Sequence, residues 1–231
     1  MDEAVGARTR NALSAVATRL RAARRDALAE AAVPESERKW EYAGRTWSWP
    51  AGEAMTHFRA LAPDERAVLD RAADDHGIEV LGVGTGRVAV ALPDEIGDEP
   101  LVAKLARYGP SAEMGAGKPQ NRRERRVWDA IGEHPFLPVR DGDEAGNWLV
   151  MPEVDVVADD SETSTATANG TDVSIDDALD QVRAALTHHL DRFHLDELKP
   201  ENVGAYDGRY WIIDYGRPAG ESLFVEPPET E

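Results

Sequence analysis

Residues 78–93, IEVLGVGTGRVAVALP, set three glycines between two runs rich in β-branched residues. Such runs favour extended backbone, and glycine lets the chain reverse without a steric penalty. The segment predicts two strands joined by a glycine-rich turn, Gly82-Val-Gly84-Thr-Gly86, and LVAKLA (101–106) adds a third strand. A glycine turn closes a hairpin, and its backbone N–H groups can also approach phosphate oxygens closely. Two phosphate-binding patterns are excluded. A dinucleotide fingerprint needs a helix after the glycines, and here Arg87-Val-Ala-Val-Ala-Leu92 is a strand. Gly115-Ala-Gly-Lys118 lacks a preceding strand and a following Ser or Thr, so it is not a P-loop.

Apolar spacing around this block reads mostly as helix. Leu13, Val16, Leu20, Ala23, Ala27 and Ala31 recur every three or four residues over 7–33, and Pro34 ends the run. Six arginines between Arg8 and Arg25 make that segment basic, which fits either a partner contact or a solvated face behind a packed stripe. WEYAGRTWSWP places Trp40, Trp47 and Trp49 about Gly44 and predicts a short hairpin. Pro63, Asp64 and Glu65 open a second helix that Gly77 closes. Residues 122–131 are helical, 136–155 form a hairpin around Asp143–Gly146, and 174–193 form a helix with Ile175, Leu179, Val182, Leu186 and Leu190 on one face. Residues 158–172 are polar and low in complexity, as an exposed loop is.

The organisation expected is therefore α+β in four parts. Residues 1–76 are a helical segment with a short Trp-rich hairpin, and 77–155 are a sheet-bearing lobe with its exit strand. Residues 156–173 are a flexible polar loop, and 174–231 are a reduced second lobe with a frayed tail.

Charge and composition limit the chemistry. Of the 231 residues, 44 are acidic and 26 basic, for a net charge of −18, and none is cysteine. Thiol nucleophiles, disulfides and cysteine-bound metals are out. The acid excess opposes sequence-independent binding to nucleic acid and to anionic lipid. No apolar run is long enough to span a membrane, and MDEAVGARTR has no apolar core of a secretory signal, so the expected location is the cytoplasm. Carboxylates dispersed among arginines, with only Lys39, Lys104, Lys118 and Lys199 as lysines, resemble the composition of proteins from salt-loving archaea.

Lysine scarcity singles out Lys104, set inside an apolar strand some twenty residues after the glycine turn. A compact ammonium suits a point charge placed between phosphates. Glu124 follows in a helix, then Trp148-Leu-Val-Met151-Pro-Glu153, then His194-Leu-Asp-Glu-Leu-Lys-Pro-Glu-Asn202, and last Asp214-Tyr-Gly216. In this order and spacing, the motifs over 78–216 resemble those of the protein-kinase-like superfamily. Lys199-Pro-Glu-Asn202-Val203 is similar to its catalytic loop, and Asp214-Tyr-Gly216 to its Asp-Phe-Gly triplet.

The resemblance implies a kinase-like fold: an antiparallel N-lobe sheet with its helix, and a reduced C-lobe. It implies ATP and Mg2+ as cofactors. Gly82, Gly84 and Gly86 would cover the nucleotide phosphates, and Lys104, held by Glu124, would contact them. Met151, Glu153 and Val154 would form the adenine-reading hinge. Asn202 and Asp214 would ligate the metal.

Three departures accompany the resemblance. The glycine turn is one residue short and ends Gly86-Arg87. An extra residue in the catalytic loop leaves either Asp196 or Glu197 as the base, and His194 reads as a loop-packing residue. Only 15 residues follow Gly216, so an activation segment and a protein-substrate platform are not expected. The helical segment 1–76 would then cover apolar surface in place of missing helices. The implied function is a small phosphotransferase moving the γ-phosphate of ATP to an unidentified acceptor. The alternative is a degenerate pseudokinase-like module that serves a protein partner.

Overall fold

The computed structural model describes residues 5–30, 39–42, 45–48, 60–93, 99–109, 116–157, 165–168, 171–189 and 198–216. It is an α+β arrangement in which helices pack on antiparallel sheets. Helix α1 spans Ala7–Glu30 and α2 spans Pro63–His76. Gly77 closes α2 at φ +68°, a left-handed position that glycine occupies without strain. The expected tryptophan hairpin is present as β1 (Lys39–Tyr42) paired antiparallel with β2 (Arg45–Ser48).

Five strands form the main sheet: β3 (Glu79–Val83), β4 (Arg87–Ala91), β5 (Leu101–Ala106), β6 (Asp141–Gly142) and β7 (Trp148–Pro152). Their spatial order is β3-β4-β5-β7-β6, antiparallel at every pairing. Helix α3 (Gly117–Ile131) lies between β5 and β6 in sequence and packs on β5 and β7. Gly82 sits inside β3 at a register irregularity, so the turn itself is only Gly84–Gly86.

Side chains alternate across a strand, so each face of this sheet has its own partner. Val88, Val90, Leu101, Ala103, Leu105, Trp148 and Val150 point to one face. There they form a core with Leu13, Val16 and Leu20 of α1 and with Leu69 and Ala72 of α2. Burial of each large aliphatic side chain contributes about 1.5–3 kcal/mol. The helices of segment 1–76 thus roof the sheet, and polar ties pin them there. Trp148 donates Nε1–H to Ser14 Oγ at 2.8 Å, and Arg10 pairs with Asp141 at 2.8 Å.

A second core lies on the opposite face. It gathers Val127 of α3, Leu149 and Met151 of β7, and Val182 and Leu186 of α4 (Ile175–Leu186). Behind it is a three-stranded sheet ordered β12-β11-β8, from β8 (Asp155–Val156), β11 (Val203–Tyr206) and β12 (Arg209–Ile212). The chain crosses from the large sheet to the small one through Glu153–Val154, where β7 ends and β8 begins.

Helix α4 is shorter than the 174–193 expected, since its last turn tightens to a 3-10 helix at Thr187–His189. The polar stretch expected as a loop contains paired backbone, β9 (Thr165–Ala168) with β10 (Thr171–Ser174). Its threonines and Val173 are β-formers.

Candidate active site

Strand pairing sets the site. Ala89 of β4 faces Lys104 of β5, which faces Leu149 of β7. Directly opposed residues share a face, so Lys104 points away from the helical roof toward α3. Helix α3 presents one buried stripe there, with Gly117, Gln120, Asn121, Glu124 and Val127 spaced three or four apart.

Lys104 meets Glu124 as the sequence predicts. Its Nζ lies 3.1 and 2.9 Å from the two carboxylate oxygens, and it also donates to the carbonyl of Ile213. Glu124 is fully buried and collects further donors. The backbone N–H groups of Tyr215 and Gly216 reach its Oε1 at 3.1 and 3.2 Å. One carboxylate thereby ties the strand lysine to the Asp214-Tyr-Gly216 segment. Gly216 is required at that contact, because a Cβ there would lie 2.2 Å from the Gln120 carbonyl and 2.6 Å from Glu124 Cγ.

Asn202 and Asp214 lie twelve positions apart and are brought together by the β11–β12 hairpin. Asn202 ends a 3-10 turn at Pro200–Asn202, and its carbonyl accepts from the N–H of Ile213 at 2.8 Å. Asp207 and Gly208 make the hairpin turn with φ of 46° and 71°. Asp214 follows β12 with its side chain 39% exposed, so it is open to solvent rather than sealed in the core.

Arg87 is the residue that sequence reasoning left without a role. It begins β4 directly after the glycine turn, and its guanidinium enters the same cluster. Nη1 lies 2.8 Å from Glu124 Oε1, and Nη2 lies 2.5 Å from Asp214 Oδ1. Strand parity could have revealed it. Arg87 and Ala89 share a face, and Ala89 opposes Lys104.

Burial works against the charges of both cations. It dominates at Lys104 and, with Arg87 opposing a proton there as well, lowers its pKa despite Glu124. At Arg87 the same burial is outweighed by Asp214 and Glu124, which raise its pKa and keep it cationic. Burial likewise raises the Tyr215 phenol well above its usual value, and the phenol donates to the Leu137 carbonyl at 2.7 Å.

The glycine turn is held from two sides. Gly84 N–H donates to the Arg87 carbonyl at 2.8 Å, and Arg107 donates Nη1–H to the Gly84 carbonyl at 2.6 Å. The Gly86 carbonyl accepts from Arg107 N–H at 2.7 Å and presses on Gly117. A Cβ on Gly117 would come within 2.1 Å of that oxygen. The Arg107 side chain is fully buried and bonded to Glu65 of α2, at 2.9 and 2.8 Å. The turn is therefore fastened to the helical roof.

Of the remaining sequence-marked residues, Met151 is buried in the second core, and Val154 is partly buried against Gly204. Glu153 is exposed, with its N–H bonded to the Pro100 carbonyl at 2.8 Å. Gly82 has nothing within 4 Å of a Cβ position and stands apart from the cluster. His194, Asp196 and Glu197 lie outside the described residues.

The donor set suits a small hard cation. Asp214 and Asn202 offer oxygen ligands on neighbouring backbone, as magnesium prefers. Arg87 holds Oδ1 of Asp214 in this arrangement. Among the described residues, no three His, Cys, Asp or Glu side chains gather as a separate metal centre. A cavity of about 250 Å³ lies on the far side of the molecule, between Leu13 and Val16 of α1, His76 at the end of α2, and Leu92. None of the candidate nucleotide- or metal-binding residues lines it.

No model of a known protein family matches the chain, and no curated protein matches it. Among the described residues, no helix is long and apolar enough to cross a membrane.

Proposed function

We propose that the protein is a kinase-like phosphotransferase that binds ATP with Mg2+ in the cleft beside Lys104 and Asp214, with an acceptor of undetermined chemistry. The carrying observation is the bonding of one buried carboxylate, Glu124, to Lys104 and to the backbone of the Asp214-Tyr-Gly216 segment. A lysine on the third strand of the sheet, paired with a helix glutamate, is what the protein-kinase site requires.

Each residue then has work that its position supports. The Gly84–Gly86 backbone would lie over the phosphates, and Lys104 would neutralise them from inside the sheet. Ala89 and Val102 share the sheet face of Lys104 and would line the place of a flat ring. Asn202 and Asp214 would hold the metal, which supplies charge neutralisation on the transferring phosphoryl group. Phosphoryl transfer depends mainly on positioning and charge stabilisation, so a small rigid site can perform it.

Thermal unfolding with millimolar ATP and Mg2+ tests the reading. Ligand at 100 times its dissociation constant adds about 2.7 kcal/mol, which raises the melting temperature by roughly 5–11 °C in a chain of this size. Lys104→Ala and Asp214→Ala should each abolish the ligand-dependent rise. An unchanged melt of the wild-type protein would refute nucleotide binding and the function with it.

One observation favours a second reading, a pseudokinase-like module: Arg87 holds the carboxylate that would carry the metal. Transfer of a labelled γ-phosphate separates the two. A melt that rises with ATP, without transfer to the protein, to water or to small hydroxyl acceptors, selects the module.

A further inference from the structure

We propose that Arg87 is a built-in cation of the phosphate site, one that neutralises Asp214 and lets a nucleoside triphosphate bind without a divalent metal. This inference rests on the nucleotide reading above and goes beyond it, because that reading gives Arg87 no task.

Position comes first. Arg87 is the residue immediately after Gly84–Gly86, and its side chain shares the sheet face of Lys104. Any phosphate lying under the turn and against Lys104 therefore meets the Arg87 guanidinium too. Charge comes second. The cluster holds two cations, Arg87 and Lys104, and two carboxylates, Glu124 and Asp214. Glu124 is shared by both cations, whereas Asp214 is paired with Arg87. Without Arg87, the part-exposed carboxylate of Asp214 would face incoming phosphates as a like charge, with Lys104, shared with Glu124, the one other cation of the cluster to offset it. With Arg87 at 2.5 Å, the repulsion is already offset.

Geometry comes third. A guanidinium offers five donors in a planar fork and suits carboxylate and phosphate alike, so one edge can keep Asp214 while another receives a phosphate oxygen. Asn121 fixes the fork from below. Its side-chain oxygen lies 3.5 Å from Arg87 Nη1, and its amide donates to the carbonyls of Lys104 and Gly146 at 3.1 and 3.0 Å. The arginine is thus pre-positioned and gives up little side-chain freedom on binding. A divalent ion, by contrast, would share Asp214 with Arg87, which already occupies Oδ1.

Titration calorimetry with ATP, once in excess EDTA and once in excess Mg2+, tests the idea. The wild-type protein should bind in EDTA with an affinity within about tenfold of that in Mg2+. Arg87→Gln should lose at least about tenfold in EDTA and clearly less in Mg2+, as the freed Asp214 takes the metal. Arg87→Lys, which keeps the charge but not the planar fork, should retain more of the metal-free binding than Arg87→Gln. If the wild-type protein binds only when Mg2+ is present, the inference is wrong and the nucleotide site stands. Equal losses for Arg87→Gln in both solutions would also overturn it, since Arg87 would then be no substitute for a metal. Binding in neither solution would remove the nucleotide reading itself.

Discussion

Glu65→Gln should be among the most damaging single substitutions in this protein, although Glu65 is not itself one of the candidate site residues. Its carboxylate accepts Arg107 Nε–H and Nη2–H at 2.9 and 2.8 Å, Arg24 Nη1–H at 3.3 Å, and the backbone N–H of Ala62 at 3.0 Å. Arg24 is 1% exposed, and Glu65 and Arg107 are fully buried. Burial, then the adjacent Arg107 guanidinium, push the Arg24 pKa down to about 10, and Glu65 opposes them. Glutamine would leave two guanidinium groups in the core without their shared counter-charge. Removing one partner of a buried ion pair costs about 3–5 kcal/mol, against a typical total stability of about 5–15 kcal/mol. At 2–4 °C per kcal/mol, the melting temperature should fall by roughly 6–20 °C. Circular-dichroism melts at low salt and in molar KCl supply the assay, and the fall should persist in salt because the cluster is shielded from mobile ions. Asp180→Asn is the control. Its partner Arg183 lies 2.8 Å away, but both side chains are more than half exposed, so the loss should stay within about 0.5 kcal/mol. A Glu65→Gln protein melting within about 2 °C of wild type would refute the claim that this charge cluster anchors the helical roof.

Two further outcomes follow from the geometry. Gly216→Ala must push residue 216 away from α3, because the Gln120 carbonyl blocks the new methyl group; it should cost about 1–3 kcal/mol and eliminate the ATP-dependent melt shift. His134 is held below its usual pKa by burial while its Nε2 lies 2.9 Å from the Tyr210 carbonyl, so the unfolded chain takes up a proton there first as pH falls. Stability should therefore decline on acidification below about pH 6.5. His134→Gln should flatten part of that slope in urea titrations between pH 7.5 and 5, and an unchanged slope would contradict the assignment.

Local chemistry made much of the architecture legible. The α2 cap at Gly77 and the alternation of β5 follow from short-range rules and appear where the sequence places them, and the glycine turn appears shortened to Gly84–Gly86. The meeting of Lys104 with Glu124 was legible only from the order of motifs: Lys104 stands out as one of four lysines, but Glu124 is one of 44 acids. Arg87 and Arg107 were harder to read. Arginine is abundant in this chain, and nothing local separates a solvated guanidinium from a buried one. Their burial depends on Glu65, Glu124 and Asp214, which are remote in sequence. Starting α3 at residue 122 also hid Gly117 and Asn121, because the segment before Arg122 carries no apolar periodicity, only small and polar side chains that pack tightly.

The helical roof has a consequence for how the chain is made. Helix α1 leaves the ribosome before the sheet that it covers: its apolar stripe rests on β5 and β7, and Ser14 waits for Trp148, 134 residues later. At synthesis rates of about 5–20 residues per second, that wait is roughly 7–27 s. Throughout it, Leu13, Val16 and Leu20 have no finished sheet to cover. The nascent protein must spend those seconds with its first helix either exposed or shielded by a chaperone. The exposed Arg8, Arg19 and Arg25, which keep the outer side of the helix hydrated, would then serve solubility during synthesis as well as in the folded state.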